Sequence, residues 1–196
     1  MAESTNNKVR FGLCGVHIAK KTGDGAYDTP VAIPGAVSLS TKPEGDSEKF
    51  FADNGAYFTV VTDNGYTGDL EMALIPDSVK VDIFNWEIDK NGALVEIAGV
   101  QPNPFALLFT VDGDAKQRRS VFYNCTAERP ETEDKTTEDK ASPTTEKMPI
   151  VMIPEAIGGK KVTKLSIEPS TENQAVYDAF FADVLLPKFT DSEPSA

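Results

Sequence analysis

Phe50-Phe51-Ala52-Asp53-Asn54-Gly55-Ala56-Tyr57-Phe58-Thr59-Val60-Val61-Thr62-Asp63-Asn64-Gly65 is the stretch on which the fold turns. Tyr57, Thr59 and Val61 fall on one side of an extended strand, and Phe58 and Val60 fall on the other. Apolar residues on both sides require both faces to be covered, by a core or by a neighbouring molecule. Asp53-Asn54-Gly55 interrupts the run that begins near Lys49, Phe50 and Phe51. Asp63-Asn64-Gly65 is an Asn-Gly turn between β-prone runs, which predicts a hairpin with Thr67 to Ile75 as the returning strand. Upstream, Val37, Leu39 and Thr41 share one face of a first strand, which Pro43-Glu44-Gly45 breaks. Downstream, Pro76-Asp77 stops the return. Asp77 or Ser78 is placed to N-cap a helix whose Val79, Ile83 and Trp86 share a face. Residues 34–86 therefore read as a β-meander closing on a short helix.

Outside that stretch the pattern stays β-rich. Val9, Phe11, Leu13 and Gly15 alternate with Arg10 and Cys14, a strand expected to continue through Ile18 before a Gly- and charge-rich loop from Lys20 to Asp28. Asp89-Lys90-Asn91-Gly92 is a second Asn-Gly turn, and Ala93 to Ile97 reads as a short strand. Phe105 to Val111 is nearly all apolar and predicts a buried strand, turned by Asp112-Gly113-Asp114 and paired with Gln117 to Thr126. Arg118 and Arg119 are adjacent on that return, so they point to opposite faces and form no phosphate clamp alone. Ion pairs with nearby carboxylates or a neighbouring subunit are the expected use. Met148 to Ile157 and Lys160 to Glu168, joined at Gly158-Gly159, are expected to complete the same sheet. Ser170 to Phe181 predicts a helix capped by Ser170 or Thr171, with Val176, Ala179 and Phe180 on its apolar face.

Between these, residues 127–147 contain no Val, Ile, Leu or aromatic residue. They carry Glu131, Glu133, Asp134, Glu138, Asp139 and Glu146 among threonines, a composition that cannot bury enough apolar surface to offset the entropy of ordering. The chain beyond Lys147 is too short to form a second domain. The segment is therefore expected to be a long polar arm leaving a single domain of residues 1–196, with a frayed tail at about 188–196.

Composition narrows the function. The 196 residues carry 31 acidic against 19 basic side chains, a formal charge of −12, which opposes any role that grips phosphates. A single histidine, His17, no Gly-x-Ser-x-Gly elbow and no Cys-x-x-Cys pair leave hydrolase triads and zinc sites without their parts. No EF-hand spacing supports calcium. No enzyme activity, metal or cofactor is expected. Cys14 and Cys125, the only cysteines, are expected to be buried thiols. The polar start and the lack of a long apolar run predict neither a signal peptide nor a membrane anchor, and folding in a cytoplasm.

A resemblance adds to this reading. Gly35-Ala36-Val37-Ser38-Leu39-Ser40, Pro43-Glu44-Gly45-Asp46, Phe51-Ala52-Asp53-Asn54, Gly65-Tyr66-Thr67-Gly68 and Ile75-Pro76-Asp77 occur in that order. Together they resemble the major tail protein (tail tube protein) of long-tailed, non-contractile bacteriophages of Gram-positive hosts, more loosely from about Lys8 to Phe181. The resemblance implies a mainly β fold with one or two short helices, a β-sandwich or barrel-like tail-tube subunit. It also implies a homo-oligomer of six-membered rings, stacked into a virion tube through which DNA passes without sequence-specific binding. Tape measure, tail initiator and tail terminator proteins are the implied partners. Some such proteins carry an added immunoglobulin-like domain at the C-terminal end, which is not expected here. On this reading Pro43, Glu44, Asp46, Phe50 and Phe51 form a loop that docks on the next ring, and Glu131, Asp134, Glu138 and Asp139 belong to an arm that orders on a neighbour. The alternative is a soluble β-sandwich binding module for carbohydrate or a host surface. It requires exposed aromatics on a polar platform, whereas Phe50, Phe51, Phe58, Phe105 and Phe109 sit in apolar strand contexts.

Overall fold

Five consecutive apolar residues, Phe105 to Phe109, are buried on both faces of one strand, and the rest of the chain is layered around them. A computed structural model describes residues 11–52, 54–134, 136 and 144–189. The sequence readings at Val9, Arg10, Asp53, Glu138 and Asp139, and for most of the C-terminal tail, lie outside those residues. In chain order the elements are β1 (Leu13–Gly23), β2 (Ala26–Tyr27), β3 (Val31–Ala32), β4 (Ala36–Glu44), β5 (Ser47–Ala52), β6 (Gly55–Val61) and β7 (Gly65–Met72). Then come α1 (Asp77–Phe84), β8 (Glu87–Ile88), β9 (Leu94–Val95), β10 (Phe105–Val111), β11 (Arg119–Ala127), β12 (Glu146–Ile153), β13 (Glu155–Ile157), β14 (Lys160–Val162) and β15 (Lys164–Ile167). The chain closes with α2 (Gln174–Asp178) and a 3-10 turn (Ala179–Phe181). It is mainly β with two short helices.

The main sheet is antiparallel, in the order β2-β1-β10-β11-β12-β7-β4, with β3 added to β1 and β15 to β11. Strand β11 shares one edge between two partners: β15 along Arg119 to Phe122 and β12 along Asn124 to Ala127. The sheet rolls up, so β1, next to one end of this order, and β4, at the other, pack together without a ladder between them. Inside the roll lie Val16, Leu70, Met72, Phe105, Leu107, Phe122, Met148 and Ile150. Burying each such side chain contributes about 1.5–3 kcal/mol. Helix α1 closes one end of the roll, inserting Val79, Ile83 and Phe84. A second apolar layer forms where Ala106, Leu108, Val121 and Tyr123 meet Ile157, Leu165 and Phe180 on the outer face of β10 and β11.

Several local readings change in the tertiary structure. Thr67 to Met72 does not pair with the strand before it. Instead β7 pairs with β4, from Glu44↔Gly65 to Ala36↔Met72, while β5 pairs with β6. The chain from Ala36 to Met72 is one long ribbon whose last described pair is Ala52↔Gly55. Asn64-Gly65 is a joint in its returning strand and not a hairpin turn, because the non-local β4–β7 ladder outcompetes the local one. Pro43 does not end the first strand either. It sits at an edge position opposite Tyr66, where a missing N–H costs nothing. A β-bulge between Ala36 and Ser38 shifts the face, so Ala36 and Leu39 pack inward and Val37 points to solvent. Helix α1 has Pro76 at its N-cap with no side-chain cap, and it ends at a left-handed Asn85 (φ 55°), so Trp86 packs from beyond the helix. At the other end, Ser170 and Asn173 bond each other's backbone N–H groups, and α2 begins only at Gln174. Its buried residue is Tyr177, Phe180 follows in the 3-10 turn, and Val176 is exposed.

Candidate subunit interface

The ribbon owes its shape to three glycines. A Cβ at Gly68 would overlap the Ser40 carbonyl, at Gly45 the Thr62 carbonyl and at Gly65 the Met152 carbonyl. Gly65 also adopts φ 100°, which L side chains avoid. At the joint, side chains replace part of the ladder. Thr62 Oγ1 accepts from the Asp46 N–H at 2.9 Å, and Gly65 N–H donates to Asp63 Oδ1 at 3.0 Å. The Thr67 hydroxyl donates to Glu44 Oε1 at 2.8 Å. Glu44, read as a docking charge, thus helps to stitch this joint with its carboxylate, and Asp46 does so through its backbone alone.

Beyond the joint nothing in the described chain covers the ribbon. Phe50, Phe51 and Phe58 are 64, 66 and 60% exposed, and Tyr57 and Val61 are both 75% exposed. Among the described residues, no core covers this strand. Cross-strand pairs Phe50↔Phe58 and Glu48↔Val60 place these four residues on one face. Lys49↔Thr59 and Ser47↔Val61 lie on the other. Phe105 and Phe109, by contrast, are core residues as their strand context implied.

The arm leaves from the opposite end of the sheet. Glu131 and Lys147 exchange backbone hydrogen bonds and close its root, and Lys147 Nζ lies 3.2 Å from Asp69. Glu146 is held from two sides, by Lys80 Nζ at 2.8 Å and by the Ile75 N–H. Thr145 and Ser38 hydroxyls donate to Glu71 at 2.7 and 2.9 Å, and these bonds hold its carboxyl below the usual carboxylate range. Glu131 and Asp134 are exposed, and the structure does not bring them near Pro43, Phe50 or Phe51.

Half of the sheet has one bare face. Ser40, Lys42, Thr67, Asp69 and Val151 line a shallow groove of about 470 Å³ on β4, β7 and β12, on the side away from α1. The open end of the roll, opposite α1, holds a groove of about 290 Å³ lined by Phe11, Leu13, Leu39, Thr41, Phe109 and Val111. Lys164 stands at its rim, its ammonium 5.6 Å from the Phe109 ring and 4.9 Å from that of Phe122. The residues of this groove come from strands far apart in the chain, and no sequence pattern announced them.

The remaining candidates have structural explanations. His17 stacks on Phe181 at 4.4 Å and bonds the Gly15 carbonyl through Nδ1 at 2.9 Å. Arg118 pairs with Asp114 at 2.8 Å, whereas Arg119 bonds the Tyr177 carbonyl and lies 4.0 Å over the Tyr177 ring. The two arginines do point apart, into carboxylate and aromatic partners of the same chain. Cys125 is fully buried, and burial pushes its thiol up. Cys14 is half-exposed and not buried as read, because it lies beside the β1 bulge and donates to Asp112 at 3.5 Å. Among the described residues no cluster of His, Cys, Asp and Glu could hold a metal, and no helix is long and apolar enough to cross a membrane.

No protein-family model matches the chain, and no curated protein sequence matches it. Solved structures do. One is the sheath–tube complex of an extracellular contractile injection system, PVC, in the extended state, at 10% identity over 83% of this chain and 94% of that one, with a TM-score of 0.45. The tube-terminating cap of the anti-feeding prophage matches at 8% identity over 86% of this chain and 100% of that one, TM-score 0.47. The anti-feeding prophage baseplate matches at 8% over 82% and 95%, TM-score 0.43.

Proposed function

We propose that this chain is a structural, non-enzymatic subunit that self-associates into closed rings, stacked as a tail tube through which DNA passes. The observation that carries the proposal is the β5–β6 ribbon. Phe50, Phe51, Tyr57, Phe58, Val60 and Val61 are exposed on two strands that stand clear of the core. A two-stranded hairpin is marginal in water by itself, and a contiguous apolar patch of this kind marks a protein contact. The ribbon and the arm root lie at opposite ends of the sheet. Two different patches make heterologous contacts, which close into rings or propagate as stacks. Six members per ring, and tape measure, initiator and terminator partners, rest on the resemblance of the ordered motifs. The setting is a virion tail assembled in the host cytoplasm. The arm at 127–147, with Glu131, Asp134, Glu138 and Asp139, is the second contact within one domain. A charge of −12 and a bare sheet face rich in hydroxyls suit a conduit that does not hold DNA.

Negative-stain microscopy of concentrated protein, with light scattering, tests this reading. Rings or tubes are expected, and Phe50→Ser or Phe51→Ser should abolish them while leaving the monomer's melting temperature unchanged. A protein that stays monomeric at every concentration, with or without a tail initiator, overturns it. The exposure of Phe50, Tyr57 and Phe58 also favours the binding module more than their sequence context did. That reading expects a saturable change in aromatic fluorescence on glycan titration and no self-association.

A further inference from the structure

Resting on the assembly reading above, we infer that the ribbon of one subunit seats its Glu48–Phe50–Phe58–Val60 face in the open end of a second copy's sheet roll. The second copy's Lys164 meets Glu48 there. The ribbon face is apolar apart from one acid. The groove sets five apolar side chains beside the Thr41 hydroxyl and one base, and at about 290 Å³ it has room for an aromatic ring between Leu13, Leu39, Phe109 and Val111. The match is therefore of both shape class and charge. Each partner is incomplete alone: Leu13, Leu39 and Val111 are only partly buried in the free chain, and the ribbon has no cover among the described residues. An acid brought over Lys164 would add a charge contact to a cation already drawn to two ring faces.

The geometry also says which copy. Register places Leu13↔Val111 and Glu44↔Gly65 at the same end of the sheet, away from α1. The groove and the root of the ribbon therefore open on the same side. A copy stacked head to tail presents its α1 end to this ribbon. A copy standing side by side in the same orientation presents its groove. The ribbon contact thus joins neighbours within a ring, in place of the docking on the next ring expected from the sequence, and stacking falls to other surfaces, the arm root among them.

The test is a charge reversal with a cross-link. Glu48→Lys and Lys164→Glu should each weaken association on the order of tenfold or more, because each sets like charges together in a desolvated contact. The double reversal should recover most of it. In a Cys14→Ser background, a mixture of Phe58→Cys and Thr41→Cys subunits should form an intermolecular disulfide, and neither alone should do so. Unchanged melting temperatures for each variant separate lost contact from lost fold. Rings or tubes that form with neither the rescue nor the cross-link overturn this inference and leave the assembly reading standing. No assembly by the unaltered chain overturns both.

Discussion

Tyr27 buries its hydroxyl with no hydrogen-bond partner beside a well-served carboxylate. Glu155 accepts from Lys21 Nζ at 2.7 Å, from Asn124 at 2.9 Å and from the Gly25 N–H at 3.1 Å, which ties the β1–β2 turn to β13. Burial, and then the charge of Glu155, push the Tyr27 phenol up, and burial does the same to Tyr123 and Cys125. Such groups ionise more readily in the unfolded chain. Their contribution is whole below the ordinary values of 9.0 for cysteine and 10.0 for tyrosine, and it is lost as pH rises above them. The melting temperature should therefore fall between neutral pH and about pH 11. Tyr27→Phe removes an unsatisfied hydroxyl, so it should gain about 1 kcal/mol at neutral pH and flatten the alkaline fall. A Tyr27→Phe variant that melts earlier at neutral pH would show the hydroxyl to be satisfied. Lys21→Met, which strands the buried Glu155 charge, should cost about 3–5 kcal/mol by urea unfolding.

At the scale of elements, the ribbon and the roll are separable. No described residue from Ser47 to Val61 belongs to either core cluster. Replacing residues 46–62 with a two-residue turn should leave the monomer's stability within about 0.5 kcal/mol and abolish association, read by chemical denaturation and by sedimentation. A large loss of stability would mean that the ribbon supports the roll. Helix α1 behaves oppositely. Lys80 is nearly buried and spends its charge on Glu146, so Glu146→Ala should destabilise the protein by about 3 kcal/mol and loosen the end of the roll. Hydrogen exchange along α1 would report it.

For the whole molecule, the arm is best tested without disturbing its root. Glu146 holds α1 and Glu131 pairs with Lys147, so a deletion must spare both. Removing residues 133–143 should leave a folded subunit. Its assembly should lose part of the salt dependence of the full chain, because exposed charge pairs are what salt screens. Light scattering across a salt series measures this. Unchanged assembly and salt response would make the arm a passive loop.

Local pattern was enough for the β class, the buried run from Phe105 to Phe109, its return in β11, and the turn between β8 and β9. Each depends on side-chain alternation and turn chemistry within a few residues. The sequence by itself also carried the two-sided apolar strand at Tyr57 to Val61. It did not carry the partner of that strand. Only the tertiary structure showed that β7 leaves β6 for β4, that a bulge puts Ala36 rather than Val37 inward, and that Phe50 and Phe58 face solvent. The groove at the open end of the roll was equally invisible, since Leu13, Leu39, Phe109 and Val111 meet only when the sheet curls. The physical reason is the same throughout. Backbone preference decides that a segment is a strand, while the ladder it joins and the face it buries are decided by distant segments competing for the same edge.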